Sequence, residues 1–197
     1  MGRQEKLWNT KEEVDYRYSC YEIFKQYLNI VPKTLLDIGC GFAHEAGWFN
    51  TEHGTDIWLL DKNRKDENNK DKRHNNFGPI DNFEPYNSFH SIRSSLKSRG
   101  CVDFQLLEPF DIKWNDAPTF DIIMSISSMG FHYPVDTYKH FIAEHSHEDT
   151  KIFCSLRNVK QCGDLIKNIV FMHRDQKSGF AELNTKKLHE ISSKQRL

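Results

Sequence analysis

The chain has 197 residues, 38% hydrophobic and 28% charged, with a net charge of −1. That length predicts one domain, and fourteen Phe, four Trp and seven Tyr supply the apolar area of a core, which excludes a fully disordered chain. The near-neutral balance argues against a general nucleic-acid partner, and no apolar run reaches the roughly 18 residues of a membrane span.

The first fifteen residues contain no apolar signal segment. Five cysteines (Cys20, Cys40, Cys101, Cys154 and Cys162) are scattered, odd in number and without a C-x-x-C pair. They point away from a disulfide framework or zinc cluster and toward a reducing cytoplasm. Residues 12–29 predict an amphipathic helix, with Val14, Tyr18, Tyr21, Phe24 and Leu28 at helical spacing. Pro32 ends it, and residues 1–32 form a helical cover in this reading. Thr34–Ile38 reads as a short buried strand, followed by Gly39, Gly41 and a helix near Glu45–Asn50. Asp56–Leu60 is a second buried strand, ending at Asp61.

Residues 62–86 change character. Lys62–Arg73 carries six Lys/Arg against three acids, and the stretch reads as a solvated insertion or a lid beside a site. Asn87–Arg99 resumes as a helix with Phe89, Ile92 and Leu96 on one face and Gly100 as its stop. Val102–Leu107 and Phe120–Ser125 are the third and fourth strands. Pro134 opens a helix carrying Val135, Tyr138, Phe141 and Ile142, with Asp136 as its expected cap. Lys151–Leu156 is the fifth strand, and Leu165–Val170 reads as helical or transitional. Phe171–His173 and Phe180–Leu183 suggest a terminal hairpin. The core is thus residues 33–61 and 87–157, with a helix and hairpin in 158–197. Strand and helix alternate about five times, and runs such as Asp121-Ile122-Ile123-Met124 suit strands buried on both faces. The expected fold is α/β, a Rossmann-like three-layer sandwich with a mostly parallel sheet and a C-terminal antiparallel hairpin. Such sheets bind ligands at the carboxyl ends of their strands.

The most informative stretch is Leu35-Leu36-Asp37-Ile38-Gly39-Cys40-Gly41-Phe42-Ala43. A strand must turn sharply into a helix there, and glycines permit the backbone angles and the close ligand approach. A dinucleotide site of the form G-x-G-x-x-G needs Gly or Ala at position 44, where His44 stands. Asp37, two residues before the first glycine, discourages a pyrophosphate and suits a cationic ligand.

These residues resemble motif I of the class I S-adenosylmethionine-dependent methyltransferases, D/E-x-G-x-G-x-G, with Ala43 in place of the last glycine. The resemblance covers roughly residues 33–157. It implies S-adenosyl-L-methionine as cofactor, S-adenosyl-L-homocysteine as its product, and cofactor binding by Asp37, Gly39, Cys40, Gly41, Lys62 and Ser125. Asp61 matches the acid at the end of the second strand that holds the ribose hydroxyls. Asp111, chosen over Glu108, matches the acid that bonds the adenine amino group. After the fourth strand, the N-P-P-Y or D-P-P-Y signature of amino-methylating enzymes is absent, and S-x-x-S-M-G-F-H-Y-P stands in its place. That loop, with the upstream Tyr86-Asn87-Ser88, is similar to a loop in small bacterial proteins assigned as sugar O-methyltransferases.

Methyl transfer to a hydroxyl needs alignment, a dry site and a base. His132, with an ordinary pKa of about 6.5, is the candidate base, with a purely structural role in the loop as the plainer alternative. Tyr133 and Ser128 are candidate acceptor contacts; Ser127 and Ser128 otherwise serve the loop backbone. His140, His145 and His147 lie on or after one helix and read as a solvated helix end, so no metal is expected. The leading expectation is methyl transfer to a small-molecule hydroxyl, sugar-like in character. The alternatives are nucleic-acid or RNA-cap methylation, and a non-catalytic donor-binding module that regulates a partner.

Overall fold

The structure is a computed structural model that describes residues 10–63, 87–126, 128–130, 133–172 and 179–194. Helix α1 (Lys11–Leu28) begins at Thr10, whose side chain accepts the Glu13 N–H, and ends at Asn29 in a left-handed conformation. Strand β1 (Thr34–Ile38), α2 (His44–His53) and β2 (Asp56–Leu60) follow. Then come α3 (Phe89–Ser98), β3 (Gln105–Leu107) and β4 (Phe120–Ser125). The chain continues with α4 (Lys139–Glu144), β5 (Ser146–Leu156), the single turn α5 (Val159–Cys162) and β6 (Ile166–Met172). It closes with β7 (Gly179–Leu183) and α6 (Thr185–Lys194).

Seven strands form one sheet in the order β3-β2-β1-β4-β5-β7-β6. The first five are parallel, and β7 runs antiparallel between β5 and β6. The sheet reverses order beside β1, which puts a crevice at the carboxyl end of β1. Successive residues of each strand feed opposite layers. Leu35, Ile57, Leu59, Ile122, Met124 and Phe153 pack with Tyr21, Phe24 and Leu28 of α1, Phe49 of α2 and Ile92 and Leu96 of α3. Leu36, Ile38, Leu60, Ile123 and Ile152 pack on the other side with Trp114, Tyr138, Ile142 and Leu188. Both faces are covered, as the unbroken apolar runs of the strands require.

The sheet and its hairpin agree with the sequence expectation, while several boundaries move. The third strand is only Gln105–Leu107, because Val102 exchanges both its backbone groups with the side chain of Asn50 at 2.9 and 3.0 Å. Residues 165–170, expected as helical or transitional, lie mostly in β6, where pairing with β7 decides between two periodicities that a short apolar run does not separate. The sequence reading places the helix of 158–197 before the hairpin, whereas α6 follows it. Asp136 does not cap a helix: it lies inside a 3-10 turn (Val135–Thr137) that precedes α4. His145 packs against the Phe141 ring at 4.6 Å and beside Trp114, and burial lowers its pKa, so this helix end is only partly solvated. No described helix is long and apolar enough to cross a membrane.

Candidate active site

The carboxyl ends of β1 and β2 build the centre of the site. Gly39 and Gly41 both take left-handed φ values, +69° and +54°. A Cβ on Gly39 would lie 2.2 Å from the Ser128 Oγ, so this glycine lets the loop after β4 close on the turn. Ala43, where the resembled motif has its last glycine, is itself left-handed (φ +49°), a conformation that costs an L-residue about 1–2 kcal/mol. Gly39 and Cys40 donate their N–H groups to Leu60 O, which ties the turn to the end of β2.

Asp61 stands directly after β2 and is half-buried. Its Oδ2 accepts the Gly41 N–H at 2.8 Å and its Oδ1 accepts the Lys62 N–H at 2.7 Å. The Cys40 Sγ lies 3.8 Å from the same Oδ2. Burial pushes the Asp61 pKa up to about 6, against these hydrogen bonds, which pull it down. Burial also lowers the pKa of Lys62 and raises that of the Cys40 thiol. Asp37 is only 3% exposed. Burial pushes its carboxyl well above the ordinary range, the neighbouring Glu45 pushes further, and Arg17 opposes both.

That arginine is a residue the sequence reading missed. Arg17 reaches from α1 to Glu45 in the first turn of α2, with an Nη2–Oε2 distance of 2.7 Å, and both side chains are nearly enclosed. One guanidinium thus serves two buried carboxylates, Glu45 directly and Asp37 through space. Arg99 was missed as well. Its guanidinium donates to Phe42 O at 2.6 Å and approaches His44 Nδ1 at 3.2 Å, pinning the far side of the glycine turn. Gly47 leaves room for it: a Cβ there would lie 3.1 Å from Arg99 Nη1.

The loop after β4 closes on itself. Tyr133 N donates to Ser128 O at 3.1 Å, and Gly130 N to Tyr133 O at 2.6 Å. Ser125 donates its hydroxyl to Ile38 O at 2.7 Å and accepts Met129 N–H at 2.8 Å, all fully buried. Its oxygen therefore holds β1 to the loop, a different use from the cofactor contact expected of it. Ser128 sits over Gly39 and pairs with the buried Tyr138 hydroxyl, whose ring lies 6.4 Å from that of Tyr133. His132 and Ser127 lie outside the described residues, as do residues 64–86 of the insertion.

Asp111 is half-buried beyond β3. Its Oδ1 accepts the Lys113 N–H at 3.0 Å and opens a 3-10 turn, flanked by Phe110 and Ile112 at 69% and 77% exposure. Glu108 follows Leu107, the partner of Leu60, and so stands across from Asp61 in the strand register. Among the described residues, no group of three or more His, Cys, Asp or Glu side chains is placed to hold a metal ion.

No protein-family model and no curated protein matches the sequence. Solved structures do. A ribosomal protein L11 methylase from Lactobacillus delbrueckii subsp. bulgaricus superposes with a TM-score of 0.55 at 14% identity, over 83% of this chain and 76% of that one. The plantazolicin methyltransferase BpumL, solved with a pentazolic desmethylPZN analog and SAH, gives 0.52 at 14% identity, over 88% and 58%. The PH0226 protein of Pyrococcus horikoshii OT3 gives 0.51 at 14% identity, over 95% and 82%. Several matched chains are longer, and this one spans 66%, 51% and 35% of three others. At these identities the likeness concerns architecture: the chain has the Rossmann-like α/β fold of the structures it superposes on.

Proposed function

We propose that this chain is an S-adenosylmethionine-dependent methyltransferase acting on a small-molecule hydroxyl, sugar-like in character. The observation that carries the reading is the joint between Asp61 and the glycine turn. A half-buried carboxylate at the end of β2 accepts the Gly41 N–H at 2.8 Å, at the point where the order of a methyltransferase-like sheet reverses. The chemistry of this pocket fits the donor. Asp37, Glu45 and Asp61 gather acidic groups around a turn whose two glycines leave the backbone open, which favours a cation and opposes a pyrophosphate. The methyltransferases among the fold neighbours, one of them solved with SAH, support the same choice.

When bound, S-adenosylmethionine supplies a methyl carbon already activated by its sulfonium. Asp61 would hold the ribose diol by accepting one hydroxyl on Oδ1, which is bonded by one backbone N–H and keeps a second lone pair, while Oδ2 already takes the Gly41 N–H and the Cys40 thiol. Asp37 would face the positive charge of the methionyl end, and Gly39, Cys40 and Gly41 would lie under it. Asp111 would take the adenine amino group, with Phe110 and Ile112 covering the ring. The loop after β4 would present the acceptor. Ser128 and Tyr133 would bind it there, and His132 would take the hydroxyl proton as oxygen bonds to the methyl carbon and the methyl–sulfur bond breaks, with S-adenosylhomocysteine as the leaving group. Excluding water is then a task for α1 and the insertion 62–86.

Calorimetry with S-adenosylmethionine, S-adenosylhomocysteine and NAD tests the donor, with binding of the first two expected. NAD binding without either would overturn it. Release of S-adenosylhomocysteine over a panel of sugars, amines and RNA oligonucleotides tests the acceptor. Turnover on RNA alone would replace the small-molecule assignment, and bound donor never consumed would point to a regulatory module.

A further inference from the structure

The segment Asn87-Ser88 opens α3, yet only Ser88 works for the helix, its Oγ accepting the Ser91 N–H at 3.1 Å. Asn87 is 7% exposed. Its Oδ1 is buried without a hydrogen-bond partner among the described residues. Buried amide oxygens are rarely left this way, because desolvation is then uncompensated. The other end of the same carboxamide, Nδ2, would lie 3.8 Å from a Cβ built on Gly41, and apart from Gly41 and its chain neighbours Cys40 and Phe42 no other described atom comes within 4 Å of that position. The space over Gly41 is therefore open except for Asn87. Gly41 also donates to Asp61, so Asn87 and Asp61 both approach one glycine. The junction is fixed: Asn63, two residues past Asp61, accepts the Phe89 N–H at 3.0 Å at the start of α3.

A carboxamide oxygen only accepts, so its missing partner carries an O–H or N–H. The amide is neutral and the pocket already holds several carboxylates for positive charge. A hydroxyl is the complementary group, and a half-turn about χ2 exchanges the two ends of the amide toward it. We propose that Asn87 is a further donor-binding residue, whose carboxamide oxygen accepts the ribose hydroxyl that Asp61 leaves unbonded, beside Gly41. The assignment rests on the S-adenosylmethionine reading above.

Calorimetry on the full chain tests it with three ligands: S-adenosylhomocysteine and its 2′-deoxy and 3′-deoxy analogues. Asn87→Ala is expected to bind S-adenosylhomocysteine about tenfold more weakly. One deoxy analogue is expected to lose about the same factor on the wild type and nothing further on Asn87→Ala, since hydroxyl and acceptor form one interaction. Asn87→Asp keeps an acceptor oxygen in place and retains that discrimination, which guards against a folding defect in the alanine variant. Unchanged affinity in Asn87→Ala overturns the assignment. So does an equal deoxy penalty in wild type and Asn87→Ala, or loss of discrimination in Asn87→Asp. A wild-type chain that binds no S-adenosylhomocysteine overturns the donor reading itself, and this assignment with it.

Discussion

Asp61 makes the donor site sensitive to pH in a direction that can be worked out. Its carboxyl is raised to about 6 by burial, and a ribose diol and a cationic ligand both favour the ionised form. Proton and donor therefore compete, and affinity falls as pH drops through 6. The ionised fraction goes from about nine-tenths at pH 7 to about one-tenth at pH 5, so Kd is expected to rise about tenfold over that span. Asp37 is also raised and sits within electrostatic reach, so the wild-type profile alone does not assign the effect. Asp61→Asn resolves it. The amide is uncharged at every pH and can accept only one of the two N–H groups, from Gly41 or Lys62, that the carboxylate now accepts. Its affinity at pH 7 is expected to fall by about 1.5–3 kcal/mol, or roughly 10- to 150-fold, with the pH dependence between 5 and 7 largely lost. Calorimetry with S-adenosylhomocysteine at pH 5, 6 and 7 on both proteins is the assay. A wild-type Kd that is flat from pH 7 to 5, or an Asp61→Asn profile as steep as wild type, refutes the reasoning.

Gly39→Ala must displace the Ser128 side chain and also holds a positive φ, so melting is expected to show a loss of about 2 kcal/mol or more, with donor binding lost at the same time. Arg17→Ala leaves Glu45 and Asp37 buried without their shared cation, and denaturant unfolding is expected to register about 3–5 kcal/mol. His132→Gln is expected to keep donor affinity and lower turnover about a hundredfold, while the wild-type rate rises with pH through about 6.5. Near-full turnover in His132→Gln would leave alignment and desolvation as the mechanism. Ser125→Ala removes the link between Ile38 O and Met129 N; the expected loss of about 1–3 kcal/mol in stability, with S-adenosylhomocysteine affinity nearly kept, separates a structural hydroxyl from a donor contact.

The sequence by itself determined the local features. Apolar runs at strand length marked β1, β2 and β4, helical spacing marked α1 and α3, and the glycine pair with its flanking acids marked the turn. Each of these is written in the periodicity or conformational freedom of a few neighbouring residues. Tertiary structure decided what depends on residues far apart in the chain. Arg17 meets Glu45 across 28 positions, and Ser125 meets Ile38 O across 87, pairings that no local pattern encodes. The same holds for Arg99 on the turn and for Asn87 over Gly41. Residues 166–172 show the limit from the other side. Their short mixed run fits helix or strand alike, and only an open edge on β7, itself held by β5, makes them a strand. Hydrophobic periodicity specifies an element when the element is long and one-sided. Partner, register and the environment that sets a buried carboxyl's charge are fixed only when distant elements close on one another.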